Sequence, residues 1–538
     1  MDLSRLNKEQ NEAVLHGDSP LLVLAGAGTG KTTAVTFRIA NMIQTRGISS
    51  NKILAMTFTN KAAREMATRV GEMTHINPRW LDIGTFHGIC GRLLRQYGDS
   101  LGLDPSFIIY DSADQLALIK RCMVQLNIDP QAFPPRAIKS RIEQWKNQGL
   151  KPNEVEPSPF DMISRKAGKV YELYRKRCLE SNAVDFGDML LHTLSLLKSN
   201  DTVRSTCHQR WSHILVDEYQ DTNPVQYKLL QKLATPQHSL TVVGDDDQSI
   251  YRWRGADIGN ILRFERDFPG AKVIRLEQNY RSTQTILDAA NGVIAHNRSR
   301  KGKTLFTTEE PGEKIRFRLF PTERDEADAI AEDIARSLLG DFDEMLEPKD
   351  IAILYRTNAQ SRPFEESFRR LRIPYTIYGG VRFYDRKEVK DAIAYLRLLM
   401  NPRSDVDFMR IVNVPARGIG KTTIEKVRIL ADDEAVSLYE AARLIASEGK
   451  GFSARPRKAL SAFVYSLEDL RKRMDELHPA RLVEELLDSS GYLNFLRVQG
   501  TEESVDRIEN LAELVAAIDE YVASAEEPNL VGFLNFYY

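Results

Sequence analysis

Residues 21–33 read LLVLAGAGTGKTT: an unbroken apolar run passes straight into a glycine-rich loop that ends in Gly-Lys-Thr. A short continuous apolar run ahead of such a loop predicts a buried strand, the kind found in parallel sheets covered by helices. Gly26, Gly28 and Gly30 let main-chain N–H groups curl round an anion. The helix that follows adds the positive end of its dipole. Lys31 supplies a point charge for β- and γ-phosphates, and the Thr32 hydroxyl is placed to ligate Mg²⁺. Ala25, Gly26, Ala27, Gly28, Thr29, Gly30, Lys31, Thr32 and Thr33 are therefore the candidate nucleotide cradle. The strict pattern has Gly where this chain has Ala25. A glycine-rich turn alone needs no ligand; the order strand, loop, helix selects the nucleotide reading.

A nucleotide hydrolase also needs carboxylates, one to hold Mg²⁺ and one to orient or deprotonate water. Residues 213–221, HILVDEYQD, supply them: an apolar strand ends in Asp217 and Glu218. Asp217 joins Thr32 as candidate metal ligand. A further strand, LTVVGDDDQSI at 240–250, ends in polar residues, and Gln248 stands where a side-chain amide could sense a γ-phosphate. An Asp-Glu pair after a strand is common at surface turns. Behind a phosphate loop and beside a third strand ending in Asp-Gln, it points to hydrolysis. The long connection from Lys31 to Asp217 predicts an inserted subdomain. It is rich in helical patterns, such as Asp111–Leu126, where Ser112 and Gln115 suggest a capping box and Leu116, Ile119, Met123 and Leu126 a buried face.

The 538 residues predict three or four domains with ample core. A net charge of −1 leaves no global basic field, so nucleic-acid binding would rest on local patches and stacking. The four cysteines, Cys90, Cys122, Cys178 and Cys207, form no CxxC pair, which argues against zinc, iron–sulfur or disulfide frameworks. There is no signal pattern and no apolar run of membrane-spanning length, and the expected location is cytoplasmic.

Several segments then fall into one order: LNKEQ (6–10), ILAMTFTNKAA (53–63), GTFHG (84–88), VDFGDML (184–190), VDEYQDT (216–222), VGDDDQSIYRWRGAD (243–257), LEQNYRST (276–283), ILYRTNAQSR (353–362) and YGGVRFYDRKEVKD (378–391). Together they resemble the superfamily 1 DNA helicases of the UvrD/PcrA/Rep group, from near residue 4 to near residue 530. The resemblance implies α/β fold class: RecA-like P-loop motor domains on parallel sheets, with mostly helical inserted subdomains. It implies ATP and Mg²⁺ as cofactors and 3′→5′ movement on single-stranded DNA in repair or replication. Single-stranded DNA, single/double-strand junctions and repair or replication proteins are the implied partners. Gln10 resembles the glutamine that reads adenine, Arg38 lies near base and ribose, and Tyr280 looks like the aromatic stacked on adenine. Arg281 is similar to the arginine finger on the γ-phosphate, though alone it would read as a surface salt bridge. Lys31, Asp217, Glu218, Gln248 and Arg281 are thus the catalytic candidates.

Single strands are held by aromatic platforms and phosphate donors. Phe58, Phe186, Tyr251 and Trp253 stand beside the nucleotide motifs; core burial is the commoner fate of such residues. In YRWR the aromatics alternate with Arg252 and Arg254, which suits stacking plus phosphate contact. Thr57, Asn60, His87, Arg254, Arg356 and Asn358 resemble the family's backbone contacts. In the family, ATP closes a cleft between two motor domains and the aromatic pockets pass bases along.

PARGIGKTT at 415–423 mimics a second phosphate loop, but Pro415 replaces its first glycine and no clear buried strand precedes it. Its GIG turn resembles helix–turn–helix loops that grip duplex backbone through main-chain N–H groups, with Gly418, Gly420 and Lys421 as contacts. Arg410, Arg417, Lys421, Lys426 and Arg428 suggest a basic patch, or else a solvated helix pair. The implied plan is motor domain 1A at 1–90 and 185–275, helical insertion 1B at 91–184, motor domain 2A from 276 to 384 and a helical accessory domain 2B at 385–538. Domain 2A would include strands at 315–320 and 350–356, and Gly449, Lys450 and Gly451 mark a short loop. The family normally returns to complete 2A with a threonine/histidine motif, Ala-Lys-Gly-Leu-Glu and a second arginine motif. None occurs here, so 2A is expected to be incomplete. Two readings follow: a helicase of this group, or a truncated ATP- and DNA-binding module without motor activity. No nuclease carboxylate cluster is found, which weakens a helicase–nuclease reading, and the aromatic motifs exclude a small-molecule kinase.

Overall fold

The computed structural model describes residues 1–297, 300–339, 346–357, 360–378, 384, 386–449, 452–524 and 528–536. Its centre is a six-stranded parallel sheet. In chain order its strands are β1 (Leu21–Ala25), β2 (Ile53–Thr57), β3 (Asp82–Thr85), β6 (His213–Val216), β7 (Ser239–Gly244) and β8 (Lys272–Leu276). Their spatial order is β3-β2-β6-β7-β1-β8, with every pairing parallel. The phosphate-loop strand β1 is buried throughout, as its apolar run predicts. Successive side chains of a strand face opposite sides. Accordingly Leu22, Leu24, Leu54, Met56, Val216 and Val242 feed one core, and Leu21, Val23, Ile53, Ala55, Leu215 and Val243 the other. Helices cover both faces, and all six carboxyl ends open at one rim. In open α/β sheets that rim is where ligands bind.

Between β3 and β6 the chain builds a helical block around the short parallel pair β4 (Ile108–Tyr110) and β5 (Ala183–Asp185). The helix Ser112–Gln125 forms as its pattern predicts, but its cap differs. Asp111 is the N-cap and Asp114 completes the capping box, because the Asp111 carboxylate reaches the N–H groups of Ala113 and Asp114. The cap therefore sits one residue earlier, while the buried face keeps Ile119 and Met123, with Leu126 packed against it, and takes Leu118 and Cys122 in place of Leu116.

From Lys387 onward the chain is helical. The amphipathic runs become the helices Ala454–Arg473 and Glu502–Ser524. Gly449 caps the helix Leu438–Glu448; Lys450 and Gly451 lie outside the described residues.

Two compact units emerge: residues 1–311 with 391–538, and residues 312–390. In the smaller unit the helices Glu323–Leu338 and Ser361–Leu371 pack around Ala331, Phe368 and Ile373. The two strands expected at 315–320 and 350–356 do not form there. A strand persists only where a neighbour takes up its main-chain donors and acceptors. Neither segment has such a neighbour among the described residues, and Phe317, Leu319 and Leu354 are 83%, 84% and 90% exposed.

Candidate nucleotide and nucleic-acid site

Gly28 and Gly30 adopt φ of +73° and +79°, a region that only glycine enters without penalty. A β-carbon on Gly28 would also collide with Asn279 and with the Arg281 Cβ. The Thr29 hydroxyl donates to the Gly26 carbonyl (2.8 Å) and braces the loop. The helix Lys31–Gln44 starts at Lys31 with no side-chain cap, so its first N–H groups stay available for an anion.

The Lys31 ammonium is held by both carboxylate oxygens of Glu218, at 2.9 and 2.8 Å. Burial alone would raise the Glu218 pKa, but Lys31 outweighs it and the net shift is downward. Glu218 sits at φ +51°, a strained conformation for a residue with a side chain. Asp217 lies beside it with the opposite shift: burial, then the Glu218 charge, push its carboxyl up to about 6. Asp217 makes no ion pair among the described residues. Asp217 feels the Lys31 charge without an ion pair to it, and its buried carboxylate is an oxygen donor of the kind that suits Mg²⁺.

Gln10 is buried, donates to the Thr29 carbonyl (2.9 Å) and accepts from the Asn7 N–H (3.1 Å). Asn7 also donates to the Tyr280 hydroxyl (2.9 Å). Gln10 and the half-exposed Tyr280 are thereby gathered beside the loop. Arg38 has a different place. Its guanidinium donates to the carbonyls of Ala13, His16 and Gly17 and to the Thr241 hydroxyl, tying the helix Lys8–Leu15 to the sheet. Burial pushes its pKa down to about 10. These hydrogen bonds fix the C-terminal end of the helix that carries Gln10. Arg281 is exposed and adjoins Gly28.

Sequence reasoning passed over two residues that organise this site. Gln220 donates to Glu218 (2.7 Å) and accepts from the Asp245 N–H (2.9 Å), joining the carboxylate turn to the Gln248 turn. Asn279 donates to the Ala27 carbonyl (2.6 Å) and accepts from the N–H groups of Arg281 and Ser282, both at 2.8 Å. A side-chain amide inside each motif was the available signal. Gln248 itself donates to Asp245 (2.5 Å).

The same rim carries aromatics. Phe58 stacks on Tyr251 at 4.9 Å, and Tyr251 approaches Trp253 at 6.5 Å. The Arg254 guanidinium lies over both Tyr251 and Trp253, at 5.3 and 4.6 Å. Trp253 is 74% exposed, so this is a surface platform, not a core cluster. Phe186 meets His87 edge-on at 5.5 Å. Burial drives the His87 pKa down to about 4, so its ring is neutral at physiological pH. Thr57 ends β2 with its hydroxyl buried and unpartnered, and Asn60 begins the next helix. Arg356 is exposed in the smaller unit, and Asn358 lies outside the described residues.

At the GIG turn, Gly418 adopts φ +74°, and a β-carbon on Gly418 or Gly420 would meet nothing within 4 Å. Ile419 is buried beneath, and Lys421 is exposed at the start of an uncapped helix. The basic patch is smaller than expected. Arg417 is consumed by the Tyr395 hydroxyl (2.6 Å) and the Ser490 carbonyl (2.8 Å). Arg410 is paired with Asp391, and Arg428 with Glu425.

The family model of the UvrD/REP helicase N-terminal domain matches residues 6–269, and that of the UvrD-like helicase C-terminal domain matches 274–537. A probable DNA helicase II homolog of Rickettsia felis is 44% identical over 519 residues, covering 96% of this chain and 78% of the relative. The ATP-dependent DNA helicase PcrA of Bacillus subtilis is 43% identical over 532 residues, 99% of this chain and 71% of the relative. PcrA of Staphylococcus aureus is 41% identical over 534 residues, 99% of this chain and 72% of its own.

Proposed function

The chain belongs to the UvrD/REP helicase family, and from that premise we propose that it is an ATP-dependent DNA helicase that moves 3′→5′ along single-stranded DNA in repair or replication. The carrying observation is the continuity of one short segment. Gln248 is wired to the hydrolytic carboxylates through Asp245 and Gln220, and three residues later Tyr251 opens the aromatic platform. Both family models are matched, which argues against a module that only binds.

Arriving phosphates compete with Glu218 for the Lys31 ammonium. Once released, Glu218 is held by Gln220 and is free to take a proton from water. Thr32 and Asp217 would hold Mg²⁺, which supplies positive charge to the phosphates when bound. Tyr280 and Gln10 receive the purine, and Arg281 offers its guanidinium to the γ-phosphate. A tilt of the Gln248 turn moves Tyr251 and Trp253 directly, so base stacking and hydrolysis share one lever.

The chain plan expected from sequence, 1A interrupted by 1B and 2A followed by 2B, is retained as part of this proposal. So are Mg²⁺ as cofactor, strand junctions and repair proteins as partners, and a cytoplasmic location. No described helix is long and apolar enough to cross a membrane.

The test is ATP hydrolysis with and without single-stranded DNA, beside Lys31→Ala, followed by unwinding of duplexes with a 3′ or a 5′ tail. DNA-stimulated turnover and displacement of the 3′-tailed substrate are expected. Binding without turnover, or preference for the 5′ tail, would overturn the proposal.

A further inference from the structure

Residues 300–306 belong to none of the motifs read from the sequence, yet they touch three parts of the nucleotide site. The Lys303 side chain is only 3% exposed, and its ammonium lies 2.5 Å from Asp245, 2.8 Å from Asp246 and 2.6 Å from Asp247. Carboxylate oxygens of these three aspartates converge closely enough to hold a metal ion; the lysine ammonium fills that place. Arg300 pairs with Asp247 (2.8 Å), and the Lys301 N–H donates to Asp246 (2.6 Å). Leu305 then packs against Gly26 of the phosphate loop. Phe306 accepts from the Asn279 N–H (2.7 Å), holding the turn that presents Arg281.

Three converging carboxylates repel one another, and a turn that carries them needs a cation to stay closed. Burial lowers the Lys303 pKa, but the aspartates more than offset this and keep it charged. Asp245 accepts from Lys303 on one side and from Gln248 on the other. The position of the Gln248 amide therefore depends on the Lys303 ammonium.

We propose that Lys303 is a positioning residue, a built-in cation that locks the Asp245–Gln248 turn in register with the phosphate loop and so couples the nucleotide to the Tyr251–Trp253 platform. This rests on the ATPase reading above. Its prediction is specific: the lysine matters for its charge against the aspartates, so removing one aspartate charge should compensate for its loss.

The experiment compares the native chain, Lys303→Met and the charge-balanced Lys303→Met/Asp246→Asn. The readouts are steady-state ATPase, thermal melting, and single-strand affinity with and without a non-hydrolysable ATP analogue. Lys303→Met should lower DNA-stimulated kcat by about tenfold or more, because a small misplacement of a catalytic turn is costly. KM for ATP should change by less than about threefold, since purine and phosphate-loop contacts remain. The analogue's effect on DNA affinity should shrink in Lys303→Met and return, with kcat, in the double variant. If Lys303→Met does not fold, a folded double variant with near-native kcat upholds the charge role, and an inactive one overturns it. Unchanged kcat in Lys303→Met, or loss that the double variant does not restore, also overturns it. If the native chain binds but does not turn over ATP, the ATPase reading fails, and the affinity linkage alone decides. Linkage lost in Lys303→Met and regained in the double supports the positioning role, and no linkage in the native chain defeats it.

Discussion

The string Gly-x-Gly-Lys-Thr-Thr occurs twice, at 28–33 and at 418–423, and the two copies do different things. Each opens a helix of 14 residues. The first follows buried strand β1, and its Lys31 is pinned on Glu218 at the end of β6. Asn279 and Arg281 crowd Gly28. The second follows no strand. Gly420 has an ordinary φ of −87°, Lys421 points to solvent, and the space around both glycines is open. The lesson is that one string of residues takes two backbone courses, and only at the first do neighbouring strands bring a carboxylate to the lysine. Glu218 and Asn279 reach the first loop from beyond the ends of β6 and β8, and among the described residues no strand ends at the second.

Lysine substitution should separate the copies most. Lys31→Ala is expected to reduce ATP hydrolysis on the order of 10³-fold, as removal of a key charge in phosphoryl transfer does. Lys421→Ala should leave single-strand-stimulated ATPase unchanged. Equal losses in the two variants, measured by phosphate release, would break the comparison.

Glycine substitution comes next. Gly28→Ala meets both a forbidding φ and the Asn279 and Arg281 side chains. It should abolish measurable binding of a fluorescent ATP analogue. Gly418→Ala should cost only the left-handed backbone penalty, about 1–2 kcal/mol, seen as a modest drop in Tm with nucleotide binding intact.

A smaller effect concerns protons. The fold raises the Asp217 pKa to about 6, so the carboxyl keeps its proton across the range where an unfolded aspartate has lost it. Stability from this group is present at low pH and disappears as pH rises through about 6. A cation beside Asp217 favours the ionised form. Binding of Mg²⁺ and ATP at pH 6 should therefore release about half a proton from this group, and almost none at pH 8. Calorimetry in buffers of different ionisation enthalpy reads this, and Asp217→Asn should erase it.

The smallest expected change is Lys421→Ala on duplex DNA: a few-fold loss of affinity and a salt slope lower by about 1, the signature of one phosphate contact. An unaltered slope would reduce the GIG turn to a structural corner.

The sequence by itself determined the α/β class and the local runs that form the glycine-rich loop and the Asp217–Glu218 pair, because each is written in consecutive residues, whereas the meeting of Phe58 with Tyr251 is not. Strand β1 followed by Gly28, Gly30 and Lys31 is legible since a buried strand, positive φ and a helix start are all written within 13 residues. Local pattern misled where two options lay a residue apart, as with the Asp111 cap, or where a strand needed a partner, as at 315–320 and 350–356. Tertiary structure alone decided which polar side chains meet. Arg38, read beside the base, is spent on carbonyls of the preceding helix and loop, while Gln220, Asn279 and Lys303, ordinary in sequence, join the turns of the site. The physical reason is range. Backbone conformation and apolar periodicity act over a few residues, whereas a buried charge or amide is satisfied by whatever the folded sheet brings within 3 Å, from any distance along the chain.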